Sequence, residues 1–230
     1  MSTHGPLVDP AGLPDWLAPL VAATADLDLG EWRRFAAPGP GSRPAAVLML
    51  LGETADHGPD LLFQLRADNG GYHSGQVAFP GGSAEPTDAS PVATALREAV
   101  EETGLDPAGV QPVALLPRLH VPVSGFAVTP VLAHWRTPSA VSAVDPAETQ
   151  AVARIPIAEL ADPANRFRVS HAGGYIGPAF AAPGMLIWGF TAGLLTLLLD
   201  IGGWARPWDS SDVRDLDHAW RSVAERRSPA

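Results

Sequence analysis

Three glutamates follow Arg97 closely enough to act together: Glu98, Glu101 and Glu102. On a helix, residues three and four positions apart are surface neighbours with Cβ atoms roughly 5 to 6 Å apart. At that separation and an effective dielectric constant near 20, two ionised carboxylates repel each other by about 3 kcal/mol. A cation among them would offset this repulsion. Ligation by oxygen alone suits Mg²⁺ or Mn²⁺, and magnesium commonly joins carboxylates to the phosphates of a substrate.

The helix that carries these glutamates is marked at both ends. Ser90 can cap its start, Pro91 suits the first helical position, and Gly104 can take the left-handed conformation that ends a helix. The opposite face is predicted to press an apolar stripe onto a sheet and leave the glutamates facing a cleft. The stripe consists of Val92, Ala95, Leu96, Ala99 and Val100. The alternative for an isolated run of glutamates is a solvated acidic surface.

The whole stretch from Gly82 to Leu105 resembles the signature of the Nudix hydrolases, a glycine followed by an acidic residue and then by Arg-Glu-apolar-x-Glu-Glu-x-Gly-apolar. Two features depart from the common form: Asp88 stands at the early acidic position in place of glutamate, and the spacing from Gly82 to Arg97 is one residue longer. The matching residues are Gly82, Arg97, Glu98, Ala99, Glu101, Glu102, Gly104 and Leu105.

The segment just upstream, LLFQLRADNGGYHSGQVAFPGG, resembles the motif that precedes this signature in coenzyme A pyrophosphatases. The longer spacing is also found in that branch. The agreeing residues are Leu62, Arg66, Gly75, Phe79, Pro80, Gly81 and Gly82. The differing residues are Phe63, Gln64, Ala67 and Gly71, which replace Leu, Thr, Ser and Arg. The missing arginine at Gly71 removes a partner for a substrate phosphate.

The resemblance implies an assignment of roles. Metal ligation would come from Glu98, Glu101 and Glu102 together with the backbone carbonyl of Gly81, and Arg97 would orient the glutamates. The base that activates water would be Glu98 or Glu148, the latter in a loop before a predicted strand.

Other side chains are candidates on weaker signals. Arg66 could hold a substrate phosphate, although a surface charge at a strand end is the alternative. His73 and His120 could lie near the cleft, and Tyr72 and Phe126 could stack on an adenine, although structural roles are typical of each of the four. Phe79 and Pro80 are expected to shape the turn, and Trp188 is expected to pack in the core.

The pattern of strands around the acidic helix predicts an α/β fold. Residues 45–51, 61–67 and 77–79 are predicted as strands, as are two or three segments within 110–135, and residues 149–160 as a strand leading into a short helix. A hairpin is expected from 166–171 and 174–180. Met185 to Ile201 is predicted as a closing helix, buried because the apolar run is too short for a bilayer span. Short helices are predicted at 15–25 and 31–36, followed by a Pro/Gly-rich linker.

The Nudix resemblance implies a Nudix-type α/β/α sandwich with a mixed β-sheet. It covers about residues 44–203 as the hydrolase domain. Residues 1–43 form an N-terminal extension and residues 204–230 a C-terminal tail, and neither has an assigned role. Dimer contacts through these ends, and hence a homodimer, stay open.

Composition narrows the function classes. The formal charge of −10 argues against sequence-independent nucleic-acid binding, which needs a basic surface. The chain has no cysteine, which excludes a disulfide framework, a thiol nucleophile and a zinc–thiolate site. The amino terminus has neither the basic segment nor the apolar core of a signal peptide, so we expect a cytoplasmic protein with no membrane partner.

The resemblance therefore implies hydrolysis, dependent on Mg²⁺ or Mn²⁺, of the pyrophosphate bond in a small nucleotide. Coenzyme A or acyl-coenzyme A is the expected substrate, with adenosine 3′,5′-bisphosphate and 4′-phosphopantetheine as products. Two alternatives remain: a Nudix hydrolase for ADP-ribose, a dinucleotide or a nucleoside triphosphate, and a non-catalytic module that senses nucleotides.

Overall fold

A computed structural model of the chain describes residues 4–27, 41–68, 70, 74–121, 124–171 and 174–225. In these ranges the helices are α1 (Ala18–Ala23), α2 (Pro91–Thr103), α3 (Ile157–Leu160), α4 (Gly189–Ile201) and α5 (Leu216–Glu225). Short 3₁₀ turns lie at Pro10–Gly12, Pro107–Gly109 and Pro163–Asn165.

The strands of the described residues form two sheets. The first contains β1 (Gly5–Pro6), β2 (Arg43–Thr54), β3 (Gly58–Arg66), β4 (Val77–Ala78), β5 (Gly81–Ser83), β6 (Val110–Leu115), β7 (Leu119–Val121), β8 (Phe126–Trp135) and β9 (Thr149–Pro156). The second contains β10 (Arg166–His171), β11 (Tyr175–Ala182), β12 (Met185–Trp188) and β13 (Val213–Asp215).

The first sheet is mixed. Its central order is β1-β6-β8-β2-β3-β4, with β5 paired to β2, β7 to β8 and β9 to β3. The long strands β2 and β8 run parallel, whereas β3 is antiparallel to β2, β4 and β9. The second sheet has the order β12-β11-β10-β13, in which only β13 runs parallel to its neighbour.

Both faces of the first sheet are covered, which explains why β2 and β3 read as continuous apolar runs. Alternate residues serve opposite faces. Leu48 and Leu62 join the cluster beneath α2, while Met49 and Phe63 join the cluster with α1 and α4 on the other side. This arrangement confirms the predicted α/β/α sandwich with a mixed sheet.

Helix α2 has the predicted bounds. The Ser90 hydroxyl accepts a hydrogen bond from the Ala93 N–H at 3.2 Å, and Gly104 has a φ of 66°. Ala95 and Ala99 are buried against the sheet, but Val100 is 37% exposed, so its place in the apolar stripe was wrong. At about 100° per residue, Val100 is turned a quarter of the circumference away from Ala99.

The predicted closing helix was wrong over its first four residues. Met185–Trp188 is strand β12, which pairs antiparallel with β11, and helix α4 begins at Gly189. Gly184 and Gly189 have φ values of 67° and 65°, which supports a turn at each end of β12. An apolar run buried as a whole has no periodicity that separates strand from helix. Among the described residues, every helix is too short or too polar to cross a membrane.

The remaining strand and helix predictions were met with small differences. β2 begins at Arg43, two residues before the predicted start, and α1 is shorter than the predicted 15–25. The helix predicted at 31–36 lies outside the described residues. The strand leading into a short helix is β9 and α3, and the predicted hairpin is β10 and β11.

Beyond residue 204, β13 pairs with β10, and α5 packs on the second sheet through Leu216, Ala219 and Val223.

Candidate functional site

Two glycines of β5 bring the backbone close to the acidic helix. Gly81 has a φ of 154°, and a Cβ there would collide with the Ala46 carbonyl oxygen and the Val47 Cα. A Cβ on Gly82 would lie 2.5 Å from the carboxylate carbon of Glu98. Only glycine at these two positions lets β5 pair with β2 and also receive the Glu98 side chain against its backbone.

Glu102 lies deepest among the three glutamates. It is 8% exposed, and its Oε2 accepts a hydrogen bond from the Gly81 N–H at 2.9 Å. Arg66 approaches its Oε1 at 3.6 Å, an ion pair too long for a hydrogen bond. Burial raises the pKa of Glu102 to about 7, and the neighbouring Glu98 raises it too, against the lowering effects of Gln64, the Gly81 N–H and Arg66. The carboxylate is therefore short of countercharge.

Glu98 is also held away from water. Its side chain is 17% exposed, and its Oε1 accepts a hydrogen bond from Arg97 Nη1 at 3.1 Å. Burial raises the pKa of Glu98, and this effect outweighs the lowering by Arg97. Glu98 and Glu102, one helical turn apart, thus form a pair of partly desolvated carboxylates beside the Gly81–Gly82 backbone.

Arg97 connects the acidic helix to the loop before it. Its Nε and Nη2 contact the two Asp88 carboxylate oxygens at 3.2 and 3.0 Å, and its Nη2 donates to the Ser83 carbonyl at 2.9 Å. The hydrogen bonds from Arg97 lower the pKa of Asp88 to about 2. Asp88 is thus the main anchor of Arg97, a role that the motif did not reveal because it marked this position only as a departure from glutamate.

Glu101 occupies the outer side of this arrangement. Its side chain is 56% exposed and accepts a hydrogen bond from Arg97 Nη1 at 2.9 Å. Across the ranges that the structure describes, no three acidic or histidine side chains converge closely enough to hold a metal ion. Glu101 therefore lies with Arg97, while Glu98 and Glu102 face β5.

The donors around β5 fit a hard divalent cation. They are oxygen atoms of two carboxylates whose pKa values are both raised by burial, so a cation would supply the charge that these groups lack. Glu98, Glu102 and the Gly81 carbonyl are the residues that would hold it. Glu101 would join them only by leaving Arg97.

Arg66 and Glu148 lie near each other at the end of β3. The Arg66 side chain is 37% exposed, and the residue pairs with Thr149 across β9. The Glu148 carbonyl accepts a hydrogen bond from the Ala67 N–H at 2.8 Å, and its side chain is exposed. Arg66 is therefore placed beside Glu102, and the backbone of Glu148 lies at the same end of β3.

Gln64 was missed as a member of the site. It is fully buried on β3, two residues before Arg66, and its Oε1 accepts a hydrogen bond from the Thr149 hydroxyl at 2.8 Å. Its Nε2 has no hydrogen bond of standard geometry within the described residues, yet the amide lies close enough to Glu102 to favour the ionised carboxylate. The available signal was a polar residue inside the apolar run LLFQLR.

The other candidates are placed elsewhere or cannot be placed. His120 Nδ1 lies 3.2 Å from the Ser42 hydroxyl, and the Phe126 ring carries the Arg43 guanidinium at 4.2 Å. Phe79 is buried and stacks on Phe63 at 4.8 Å. Gly71, Tyr72 and His73 lie outside the described residues.

Pro80 and Trp188 have structural contacts. The Pro80 carbonyl accepts a hydrogen bond from the Leu48 N–H at 2.7 Å, which fixes the approach to the Gly81 turn. Trp188 packs against the cluster between the second sheet and α5, as predicted, although it lies on a strand and not in a helix.

Comparison with known proteins identifies relatives of this chain. The family model described as the NUDIX domain matches residues 41–172. The uncharacterized Nudix hydrolase NudL of Pectobacterium atrosepticum is 49% identical over 90 residues, which is 39% of this chain and 45% of that protein. The corresponding Enterobacter sp. protein is 48% identical over 90 residues. The chain thus spans about half the length of the curated relatives it matches.

Among solved structures, the Nudix hydrolase RenU of M. smegmatis is 22% identical, with a TM-score of 0.44 over 53% of this chain and 74% of that chain. The matched family region contains β2, β3, the Gly81–Gly82 turn and helix α2, and so includes all the acidic residues described above. Because the family model covers more than half of the sequence, this chain belongs to the Nudix family.

Proposed function

We propose that this protein hydrolyses the pyrophosphate bond of a nucleoside diphosphate derivative with the help of Mg²⁺ or Mn²⁺. The substrate we propose is coenzyme A or acyl-coenzyme A. Water would add to one phosphorus and the bridging oxygen would leave, which gives adenosine 3′,5′-bisphosphate and 4′-phosphopantetheine or its acyl form. The observation that supports this proposal is the pair of partly desolvated carboxylates, Glu98 and Glu102, against the Gly81–Gly82 backbone.

The carboxylate pair is suited to hold a cation. A bound divalent ion neutralises charge on phosphate oxygens and lowers the pKa of bound water. Glu98 and Glu102 would supply two of its oxygen ligands, with Gly81 as a backbone ligand. The Gly81 N–H holds Glu102, and Arg97 holds Glu98, so both carboxylates are oriented before a cation arrives.

Arg66 is suited to bind the substrate, and Glu148 is suited to activate water. The Arg66 guanidinium is only loosely paired with Glu102, so it retains donors for a phosphate of the substrate. Glu98 is engaged by Arg97 and would be a ligand, which favours the exposed Glu148 as the base that accepts the proton of the attacking water.

A hydrolysis screen tests this proposal. The purified chain is incubated with Mg²⁺ and coenzyme A, acetyl-coenzyme A, ADP-ribose, NADH or nucleoside triphosphates, and products are separated by chromatography. We expect coenzyme A or its acetyl form to be cleaved to the bisphosphate, with no turnover in excess EDTA and little by the matched variant Glu102→Gln. Preference for ADP-ribose, NADH or a triphosphate would overturn the substrate assignment, and absence of any turnover would favour a sensing module.

A further inference from the structure

Gln64 is a buried polar residue whose surroundings satisfy only one end of its amide. Its carbonyl oxygen accepts the hydrogen bond from Thr149, while its Nε2 is buried without a hydrogen bond of standard geometry among the described groups. A buried donor in this situation is costly, and native proteins rarely tolerate one without a reason. The side chain is fully buried, so water at the surface does not satisfy it.

The free end of this amide lies beside Glu102. Alternate residues of a strand point to one face, so Gln64 and Arg66 share the face of β3 toward α2. Gln64 pairs with Val152, and Val152 packs with Leu62 in the cluster beneath α2, so Gln64 faces that helix. Arg66, two residues further along β3, reaches Glu102 Oε1 at 3.6 Å. The opposite orientation of the amide would turn its carbonyl oxygen toward the carboxylate, which is repulsive while Glu102 is ionised.

We propose that Gln64, itself oriented by the Thr149 hydroxyl, is a positioning residue that directs the Glu102 carboxylate toward the cation site. This inference rests on the proposed function, because it treats Glu102 as a metal ligand. The related motif has threonine at this position, and the longer glutamine extends further from β3 toward α2. The chain from Thr149 through Gln64 to Glu102 thus links β9 and β3 to the acidic helix.

Variants that keep the shape of these side chains test the proposal. Gln64→Met has a similar length without a donor, and Thr149→Val removes only the hydroxyl. Thr24→Val is the matched control: Thr24 is also fully buried and donates a 2.7 Å hydrogen bond, but to Val21 on the opposite side of the first sheet. Each variant is first checked for cooperative thermal unfolding in EDTA.

The first measurement is Mn²⁺ binding to the substrate-free protein, followed by the electron paramagnetic resonance signal of free Mn²⁺. We expect Gln64→Met and Thr149→Val to weaken binding about tenfold, within the range seen when groups that orient metal ligands are removed, and Thr24→Val to bind as the wild type does. Wild-type affinity in a folded Gln64→Met protein would overturn the proposal. If Gln64→Met does not fold, Thr149→Val decides in the same way.

The second measurement is a double-mutant cycle on kcat/KM at saturating Mg²⁺. If Gln64 acts through Glu102, Gln64→Met should cost about tenfold in the wild-type background and less than about twofold in the Glu102→Gln background. Equal losses in the two backgrounds would overturn the proposal. Mn²⁺ binding by Glu102→Gln alone distinguishes failure of the proposed function from failure of the role of Gln64. If that variant binds Mn²⁺ normally, the proposed function fails as well. If it does not, a negative result for Gln64→Met contradicts only the role of Gln64.

Discussion

Replacing Gly82 with alanine should strongly lower the activity of the protein while leaving its fold intact. The new Cβ would lie 2.5 Å from the Glu98 carboxylate carbon and Oε1 and 2.7 Å from Oε2, whereas ordinary contact begins at 3.4 Å. The carboxylate must therefore retreat by about 0.9 Å, away from the backbone of β5. The backbone of Gly82 is outside the left-handed region, so alanine can adopt it without strain.

The expected loss of activity follows from this displacement. The Glu98 carboxylate is the far end of a flexible side chain, so it can move at little cost in folding free energy. A misplacement of a catalytic group by about 1 Å can nevertheless cost about a hundredfold in rate. We therefore expect kcat to fall about a hundredfold with a change in the unfolding midpoint below about 2 °C. Turnover is measured with the preferred substrate from the hydrolysis screen, and unfolding by calorimetry in EDTA.

Gly81→Ala is the contrasting variant. Its Cβ would meet backbone atoms of Ala46 and Val47, which cannot retreat alone, and its φ of 154° is strained for alanine. We expect the unfolding midpoint to fall by roughly 5 to 10 °C, as for an overpacked core position. Normal turnover by a folded Gly82→Ala protein would refute the reasoning, because the Glu98 carboxylate would then not need its place against β5.

Three further variants separate the proposed roles. Glu102→Gln should lower kcat by about a hundredfold. Its unfolding midpoint in EDTA should be no lower than that of the wild type, because the substitution removes a buried carboxylate that is short of countercharge. A clear loss of stability would contradict the charge argument. Arg66→Ala should raise KM at least about tenfold with little change in kcat, and an unchanged KM in initial-rate assays would make it a surface charge. Glu148→Gln should lower kcat about a hundredfold at unchanged KM if Glu148 is the base, and near-normal turnover would return that role to Glu98.

The parts of the site that could be predicted from sequence are those fixed by local chemistry. Ser90 and Gly104 are capping residues, and they set the bounds of α2 without help from distant residues. The glycines at 81 and 82 are also typical of a backbone that neighbouring groups approach closely. By contrast, helical spacing treats Glu101 and Glu102 alike, although they point about 100° apart. The positions of β5 and β3 decide that Glu102 is buried and Glu101 exposed.

The parts that could not be predicted depend on partners remote in the chain. Gln64 acquires its setting from Thr149 on another strand and from Glu102 on the helix. Strand β12 is stabilised by its pairing with β11, and β13 is placed by β10, more than forty residues earlier. Met185–Ile187 of β12 are all buried, so their hydrophobic pattern has no period, and β13 is a mostly exposed strand of three residues, too short to show one.

The distribution of positive charge explains why a cation is expected at one place in this acidic cluster. Arg97 contacts Asp88, Glu98 and Glu101 at 3.0, 3.1 and 2.9 Å. Glu85 also lies 3.9 Å from it, so its single positive charge is shared among four carboxylates. Arg66 faces Glu102 at 3.6 Å with a side chain that is 37% exposed, and such a solvated pair contributes little. The uncompensated negative charge therefore lies between Glu98 and Glu102. If Glu98 and Glu102 hold a divalent ion, Glu102 no longer needs Arg66 as its counterion, and the Arg66 guanidinium can bind a phosphate of the substrate. Arg66→Ala is therefore expected to change KM and not kcat.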